Sequence, residues 1–278
     1  MLRGHYILIG MFLFSMMFSS CDQIENNMVE LDSATIDSLM SDYNLANGPG
    51  AALRIIENRY IIYSKGYGLA NLEEDIPIIS GTNFRLASIT KQFTAMCIMI
   101  LQSRGQLNYE QTLTALFPDF PNYGNEITIR HLLHHTSGLR DYFSLIPGNV
   151  TEQIHDDDVL NMMMEQTSTY FIPGSEYQYS NSGYAVLAMI VEQISGLSFA
   201  NFLSENIFIP LNMAGSIAFE EGMSTVPSRA YGYSYSGDHY VMNDQSLTSA
   251  VLGDGGIYTS IDDLFKWDQG LYTNSILP

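Results

Sequence analysis

Apolar residues recur along this chain with two alternating periods, and the changes between them lay out the elements. Over residues 33–46, Ile36, Leu39, Met40 and Tyr43 stand at helical spacing, and Asn47-Gly48-Pro49-Gly50 ends the run. Ala51–Glu57 and Tyr60–Tyr67 are β-rich runs separated by Asn58-Arg59, which reads as a hairpin. After Ala87 the helical period returns, with Ile89, Phe93, Met96, Cys97, Ile100 and Leu101 on one face and Gly105 as a stop. Helices are further expected over residues 127–135, 157–165, 182–195 and 199–207, the third with Gly196 at its end. Tyr231, Tyr233 and Tyr235 alternate with small residues before Ser236-Gly237-Asp238 and His239-Tyr240-Val241, a second hairpin with a tyrosine face that either lines a substrate mouth or is plain surface. Gly253-Asp254-Gly255-Gly256 reads as a tight turn before a last helix at about 261–271.

This order predicts an α+β architecture. An N-terminal helix and hairpin belong to an antiparallel sheet, and a mainly helical region runs from about residue 105 to 250.

The first residues follow another logic. Residues 6–18 are an apolar core too short to span a bilayer comfortably, and Phe18-Ser19-Ser20-Cys21 sets small residues before a cysteine. This resembles a bacterial lipoprotein signal: residues 1–20 removed, Cys21 lipidated, residues 21–32 a polar tether, and the domain from residue 33 to 278 anchored outside the cytoplasm, periplasmic or at the cell surface. An uncleaved membrane anchor is the competing reading, disfavoured by the short segment and the placed cysteine. On this reading membrane contact runs only through the lipid.

Composition narrows the partners. With 46% hydrophobic and 15% charged residues, the 278-residue chain is suited to a packed globule rather than to disorder. A formal charge of −19 and scattered Lys and Arg argue against a nucleic-acid partner. Cys97, inside an apolar helical pattern, reads as core, and two cysteines so placed suggest no metal site.

The candidate chemistry lies in Ser88-Ile89-Thr90-Lys91 and Tyr179-Ser180-Asn181. A serine hydroxyl needs a base, and positions i and i+3 share a helix face, which places Lys91 one turn from Ser88. Ser88 would stand at a helix N-terminus, where free N–H groups favour developing negative charge and, with partial burial, make a neutral lysine amine more accessible. Tyr179 would carry a second proton, and the Asn181 amide would hold Lys91 and a substrate carbonyl. Each motif also has an ordinary reading: Ser88 as an N-cap, Lys91 as a solvated first-turn lysine, Tyr-x-Asn as chance in a chain of 18 tyrosines.

Taken in order, four segments carry a resemblance. They are the Phe84–Lys91 stretch, the 127–139 stretch with His134-His135-Thr136-Ser137-Gly138-Leu139, Pro173-Gly174 with Tyr179-Ser180-Asn181-Ser182-Gly183-Tyr184, and residues 253–260 with Gly253-Asp254-Gly255-Gly256. Together they resemble the serine β-lactamase and penicillin-binding protein-like family on its class C side, from about Ser33 onward. The resemblance implies Ser88 as acylated nucleophile, Lys91 as its base partner, Tyr179 as proton shuttle, Asn181 as a substrate and lysine contact, and the Ser88 N–H as an oxyanion donor. It implies no cofactor and a small-molecule or peptide substrate: ester, amide, D-amino-acid peptide or β-lactam. A tyrosine opening the second motif points away from class A enzymes.

His131, His134 and His135 tempt a metal reading, but no His-Glu-x-x-His and no third-ligand cluster accompanies them, and no metal is assigned. Asp156-Asp157-Asp158 reads as a helix start with a solvated face. The family's third element, Lys-Thr-Gly or His-x-Gly on a strand beside the serine, does not follow Tyr179. The expectation is therefore a C-terminally truncated hydrolase lacking its last sheet strands. A binder or sensor acylated without turnover stands as the alternative, and an inert lipoprotein ranks last. The sequence assigns no oligomeric state.

Overall fold

A helix, α1 (Ser33–Leu39), leads into an antiparallel hairpin of β1 (Ala51–Glu57) and β2 (Tyr60–Tyr67). The hairpin forms where expected because Asn58 and Arg59 both take left-handed backbone, with φ of 50° and 72°, the twist that suits a two-residue loop. The Asp37 carboxylate ties α1 to β2 by accepting from Lys65 Nζ and from the Tyr63 and Tyr67 hydroxyls, each at 2.8 Å. Those donors hold its pKa down to about 2. The computed structural model describes residues 32–220 and 222–277. The expected signal segment, Cys21 and the tether up to residue 31 lie outside the described residues.

A small ribbon of β3 (Leu69–Asn71) and β4 (Ile76–Pro77) precedes β5 (Phe84–Arg85), which runs into a 3₁₀ turn, Ala87–Thr90, and then helix α2 (Lys91–Ser103). Short helices α3 (Leu113–Leu116) and α4 (Ile129–Leu133) follow, then α5 (Asp156–Met164), the long α6 (Asn181–Ser195) and α7 (Phe199–Leu203). The expected mainly helical stretch also carries β6 (Ile217–Ala218) and the tyrosine hairpin, β7 (Tyr233–Ser236) with β8 (His239–Met242). The chain then makes a short helix α8 (Leu252–Gly255), strand β9 (Ile257–Thr259) and helix α9 (Ile261–Leu271).

Helix α6 is the axis of the core. Tyr184, Ala185, Val186, Leu187, Ala188, Ile190 and Val191 are all buried, so nearly its whole circumference is packed, against α2, α5 and α8 among others. Ser180 caps its start by accepting from the Gly183 N–H, and Gly196, with φ of 72°, ends it. Helix α2 buries Phe93, Cys97, Ile98, Ile100 and Leu101 in the same core. Ile89, expected on that face, is 52% exposed. It belongs to the 3₁₀ turn before α2, where the 3.6-residue phase has not yet begun.

Strand β9 lies between β5 and β6, antiparallel to both, and so fastens the segment before Ser88 to the C-terminal part of the chain. Strands of two or three residues leave no period in the sequence, and this sheet is not legible there. Helix α9 packs over β1, with the Arg54 guanidinium donating to the Ile261 carbonyl and pairing with the Asp262 carboxylate.

Candidate active site

Strand β5 and helix α2 meet at a sharp corner, and Ser88 stands on it. Ala87 takes φ of 47°, a left-handed conformation that costs a residue with a Cβ about 1–2 kcal/mol. The corner is held because the Leu86 N–H donates to the Ile257 carbonyl at 2.8 Å and the Ile89 N–H donates to the Leu86 carbonyl at 3.2 Å. Ser88 therefore sits in the turn that leads into α2 rather than as the helix N-cap.

Lys91, the first residue of α2, is buried and has three acceptors around its Nζ. They are Asn181 Oδ1 at 2.8 Å, the Asp254 carbonyl at 2.8 Å and Ser88 Oγ at 3.5 Å. An ammonium has three N–H donors, so the set matches its capacity. Tyr179 donates its hydroxyl to Ser88 Oγ at 2.8 Å, and its ring lies 5.0 Å from Lys91 Nζ. The four residues singled out from sequence are thus brought together: Ser88 and Lys91 by one helical turn, Tyr179 and Asn181 by the segment entering α6.

Further groups, given no catalytic role from sequence, complete the site. His135, with φ of 57°, stacks on Tyr179 with ring centroids 4.6 Å apart and meets Tyr184 at 5.0 Å. Its Nδ1 accepts from the Ser180 N–H at 3.1 Å, which orients the segment that carries Tyr179. Burial, and then the charge of Lys91, lower its pKa below the ordinary histidine value of 6.5. His131 caps α4 together with Thr128, so two of the three histidines have structural partners.

The Asp254 side chain accepts from the Tyr142 hydroxyl at 2.9 Å. Burial pushes it up to about 6 against the opposing pull of Lys91 and Tyr142. The expected tight turn at 253–256 is the helix α8, and its Asp254 carbonyl is one of the acceptors of Lys91. Asp156 corrects another expectation. The acidic run does start a helix, but Asp156 is buried instead of solvated, because its carboxylate accepts from the Leu252 and Gly253 N–H groups.

The sequence profile of the family named Beta-lactamase matches residues 35–277. The chain belongs to the Beta-lactamase family. Its fold is the β-lactamase/transpeptidase-like one, with helices and antiparallel sheets. A penicillin-binding protein of Bacillus subtilis (strain 168) is 36% identical to this Beta-lactamase family chain over 231 residues, covering 78% of this chain and 51% of that protein. A D-aminopeptidase of Gluconobacter oxydans (strain 621H) is 32% identical over 230 residues, covering 80% of this chain and 42% of that protein. The crystal structure of a penicillin binding protein from Bacillus halodurans superposes with a TM-score of 0.73 at 28% identity, covering 87% of this chain and 74% of that one. The chain spans about half the length of the curated relatives it matches.

Proposed function

We propose that this protein is a serine hydrolase that acts through an acyl-enzyme on Ser88. The observation that carries this reading is the Ser88 hydroxyl held between the Tyr179 hydroxyl at 2.8 Å and Lys91 Nζ at 3.5 Å. Substrates are esters, amides, D-amino-acid peptides or β-lactams. The similarity to a D-aminopeptidase and to a penicillin-binding protein supports that range.

In this mechanism the exposed Tyr179 hydroxyl first loses its proton to solvent, and Ser88 Oγ then forms a bond to the substrate carbonyl carbon as its own proton passes to the Tyr179 phenolate oxygen. Lys91 Nζ lies 3.5 Å from Ser88 Oγ and over the Tyr179 ring, where a positive charge offsets the negative charge that develops. The Ser88 N–H donates to the oxyanion. Collapse breaks the bond to the leaving group, which takes the proton from Tyr179. Water then attacks the acyl-enzyme, giving a proton to Tyr179, which passes it to Ser88 Oγ as the ester bond breaks and the acid is released. Asn181 Oδ1 is engaged by Lys91, which leaves its Nδ2 for a substrate carbonyl.

The test is labelling with a fluorescent penicillin and with a fluorophosphonate, in the native chain and in Ser88→Ala. Labelling lost in the variant, with turnover of a chromogenic ester, is expected. Stable labelling without turnover would instead identify a sensor, and no labelling by either probe would overturn the proposal.

We further propose that the protein is an exported lipoprotein, processed before Cys21 and anchored through a lipid on its sulfur. The short apolar segment followed by Ser19-Ser20-Cys21 supports this. Incorporation of labelled fatty acid should vanish in Cys21→Ala, and its persistence there would refute the anchor.

A further inference from the structure

Asp156 touches none of the reacting groups, yet its carboxylate lies beneath the turn that receives Lys91. We propose that Asp156 is a positioning residue: through helix α8 it sets the place of Lys91 and thereby the rate at which Ser88 is acylated. The inference rests on the serine hydrolase reading above.

The first N–H groups of a helix need partners, and Val251, the cap residue of α8, supplies no side-chain acceptor. Asp156, entering from the first turn of α5, supplies both. Its Oδ2 accepts from the Leu252 N–H at 2.7 Å and its Oδ1 from the Gly253 N–H at 3.0 Å. These are charge-assisted bonds at a helix N-terminus, among the stronger kinds a carboxylate makes.

The opposite edge of α8 faces helix α2. The Gly253 carbonyl accepts from Thr94 Oγ1 at 2.7 Å, and the next carbonyl, that of Asp254, accepts from Lys91 Nζ at 2.8 Å. Lys91 and Thr94 are one helical turn apart, so two successive carbonyls read one face of α2. The turn cannot drift inward, because a Cβ on Gly253 would stand 2.5 Å from the Tyr184 carbonyl oxygen, 2.6 Å from Ala188 Cβ and 3.0 Å from Asp156 Oδ1. Asp156 on one side and α2 on the other therefore fix the height of the Asp254 carbonyl.

This arrangement carries a desolvation cost. Asp156 is buried, no cation pairs with it among the described residues, and its charged neighbours, Asp254 and Glu192, are themselves acidic. Burial raises its pKa, and the two amide bonds work against that rise. An apolar side chain of similar volume would avoid the cost but would leave the two amides of α8 unmet.

The experiment compares the full chain with Asp156→Asn, Thr94→Val and the double variant. Acylation by the fluorescent penicillin and the fluorophosphonate is followed across pH, and the lysine Cε–Hε resonances are followed by NMR. The chain has three lysines, Lys65, Lys91 and Lys266, so the signals are readily assigned. Asp156→Asn is expected to acylate at least tenfold more slowly with little change in probe affinity, to shift the pH profile, and to move the Lys91 resonance while Lys65 and Lys266 stay in place. Thr94→Val should do the same to a smaller extent, and the double variant should lose less than the product of the single losses, since both act on one turn. Folded variants with native rate, native pH profile and an unmoved Lys91 resonance would overturn the inference. If Asp156→Asn does not fold, Thr94→Val decides by the same readouts. Failure of both probes to label the native chain overturns the hydrolase reading instead, and the Lys91 resonance then still decides the positioning role.

Discussion

The Tyr179 hydroxyl stands 2.8 Å from Ser88 Oγ, closer than Lys91 Nζ at 3.5 Å. The tyrosine is also 47% exposed, whereas the lysine is buried. The side chain nearest Ser88 Oγ thus opens to solvent, and Lys91 is enclosed behind it. In the proposed mechanism a proton leaves through Tyr179 to the leaving group without crossing the core, while Lys91 stays anchored by Asn181 and the Asp254 carbonyl.

Tyr179→Phe should therefore separate chemistry from stability. It removes the closest proton carrier, and general acid–base groups contribute roughly 10²–10⁴-fold. Acylation should fall by about that factor, while the thermal midpoint stays within a degree or two, since the hydroxyl of a half-exposed side chain carries little of the fold. Stopped-flow acylation and circular dichroism melts check the two halves. Acylation within about threefold of the native rate would remove Tyr179 from the mechanism.

His135 provides a pH signature. Its pKa is lowered, by burial first and by Lys91 second. For a depressed group the stabilising contribution is present above the unfolded value and is lost as pH falls through the folded one. Acidification below the ordinary histidine value of 6.5 should therefore weaken the fold, because burial and the charge of Lys91 both oppose the imidazolium. A ¹H–¹³C titration of the imidazole should show a midpoint below 6.5, moving upward in Lys91→Met. An unmoved midpoint in that variant would mean that Lys91 exerts no field at His135.

Asp254 acts in the opposite sense over a neighbouring window. Its pKa is raised from 3.8 to about 6, chiefly by burial. A raised group stabilises fully below the unfolded value, and that contribution is lost as pH rises through the folded one. Ionising Asp254 should cost about 3 kcal/mol of stability between pH 4 and 6, because each tenfold change in proton affinity is worth about 1.36 kcal/mol. Asp254→Asn keeps an oxygen for the Tyr142 hydroxyl and abolishes the titration. Urea unfolding at pH 4 and at pH 7 should show the variant gaining on the native chain by about that amount at the higher pH. An equal difference at both would show that the carboxyl does not titrate in the fold.

These relationships also explain which features the sequence makes legible. The hairpin at 51–67 and helix α6 are legible because each is announced locally, by a two-residue turn in one case and by Ser180 and Gly196 in the other. Ser88, Lys91, Tyr179 and Asn181 are legible because their spacing puts each pair on one short segment. The Lys91 acceptor on Asp254 is a backbone carbonyl, and no residue type marks a carbonyl. Asp156 at a helix start is indistinguishable in sequence from any solvated first-turn carboxylate, because its partners lie 96 and 97 residues away. The helix expected over 127–135 contracts to Ile129–Leu133 because His135 must turn into left-handed backbone to place its ring on Tyr179.

Phe93 ties this site to the core and offers the stability test. It is fully buried two residues after Lys91, with its ring 4.3 Å from that of Trp267 and 6.1 Å from that of Phe208. Trp267 in turn donates its indole N–H to Gln92 Oε1, so helix α9 is fastened to the first turn of α2 by a ring contact and a hydrogen bond on adjacent residues. Phe93→Ala opens a cavity between these rings, and truncations of this kind cost about 3–5 kcal/mol. Trp267 is the chain's one tryptophan, so its emission reports this contact alone. The variant should unfold at lower denaturant with a native-state emission maximum shifted to the red as water reaches the indole. Acylation of the folded fraction should also slow, because α2 carries Lys91 two residues from the cavity. A loss of stability with native emission and a native acylation rate would show that α2 holds its lysine without support from α9.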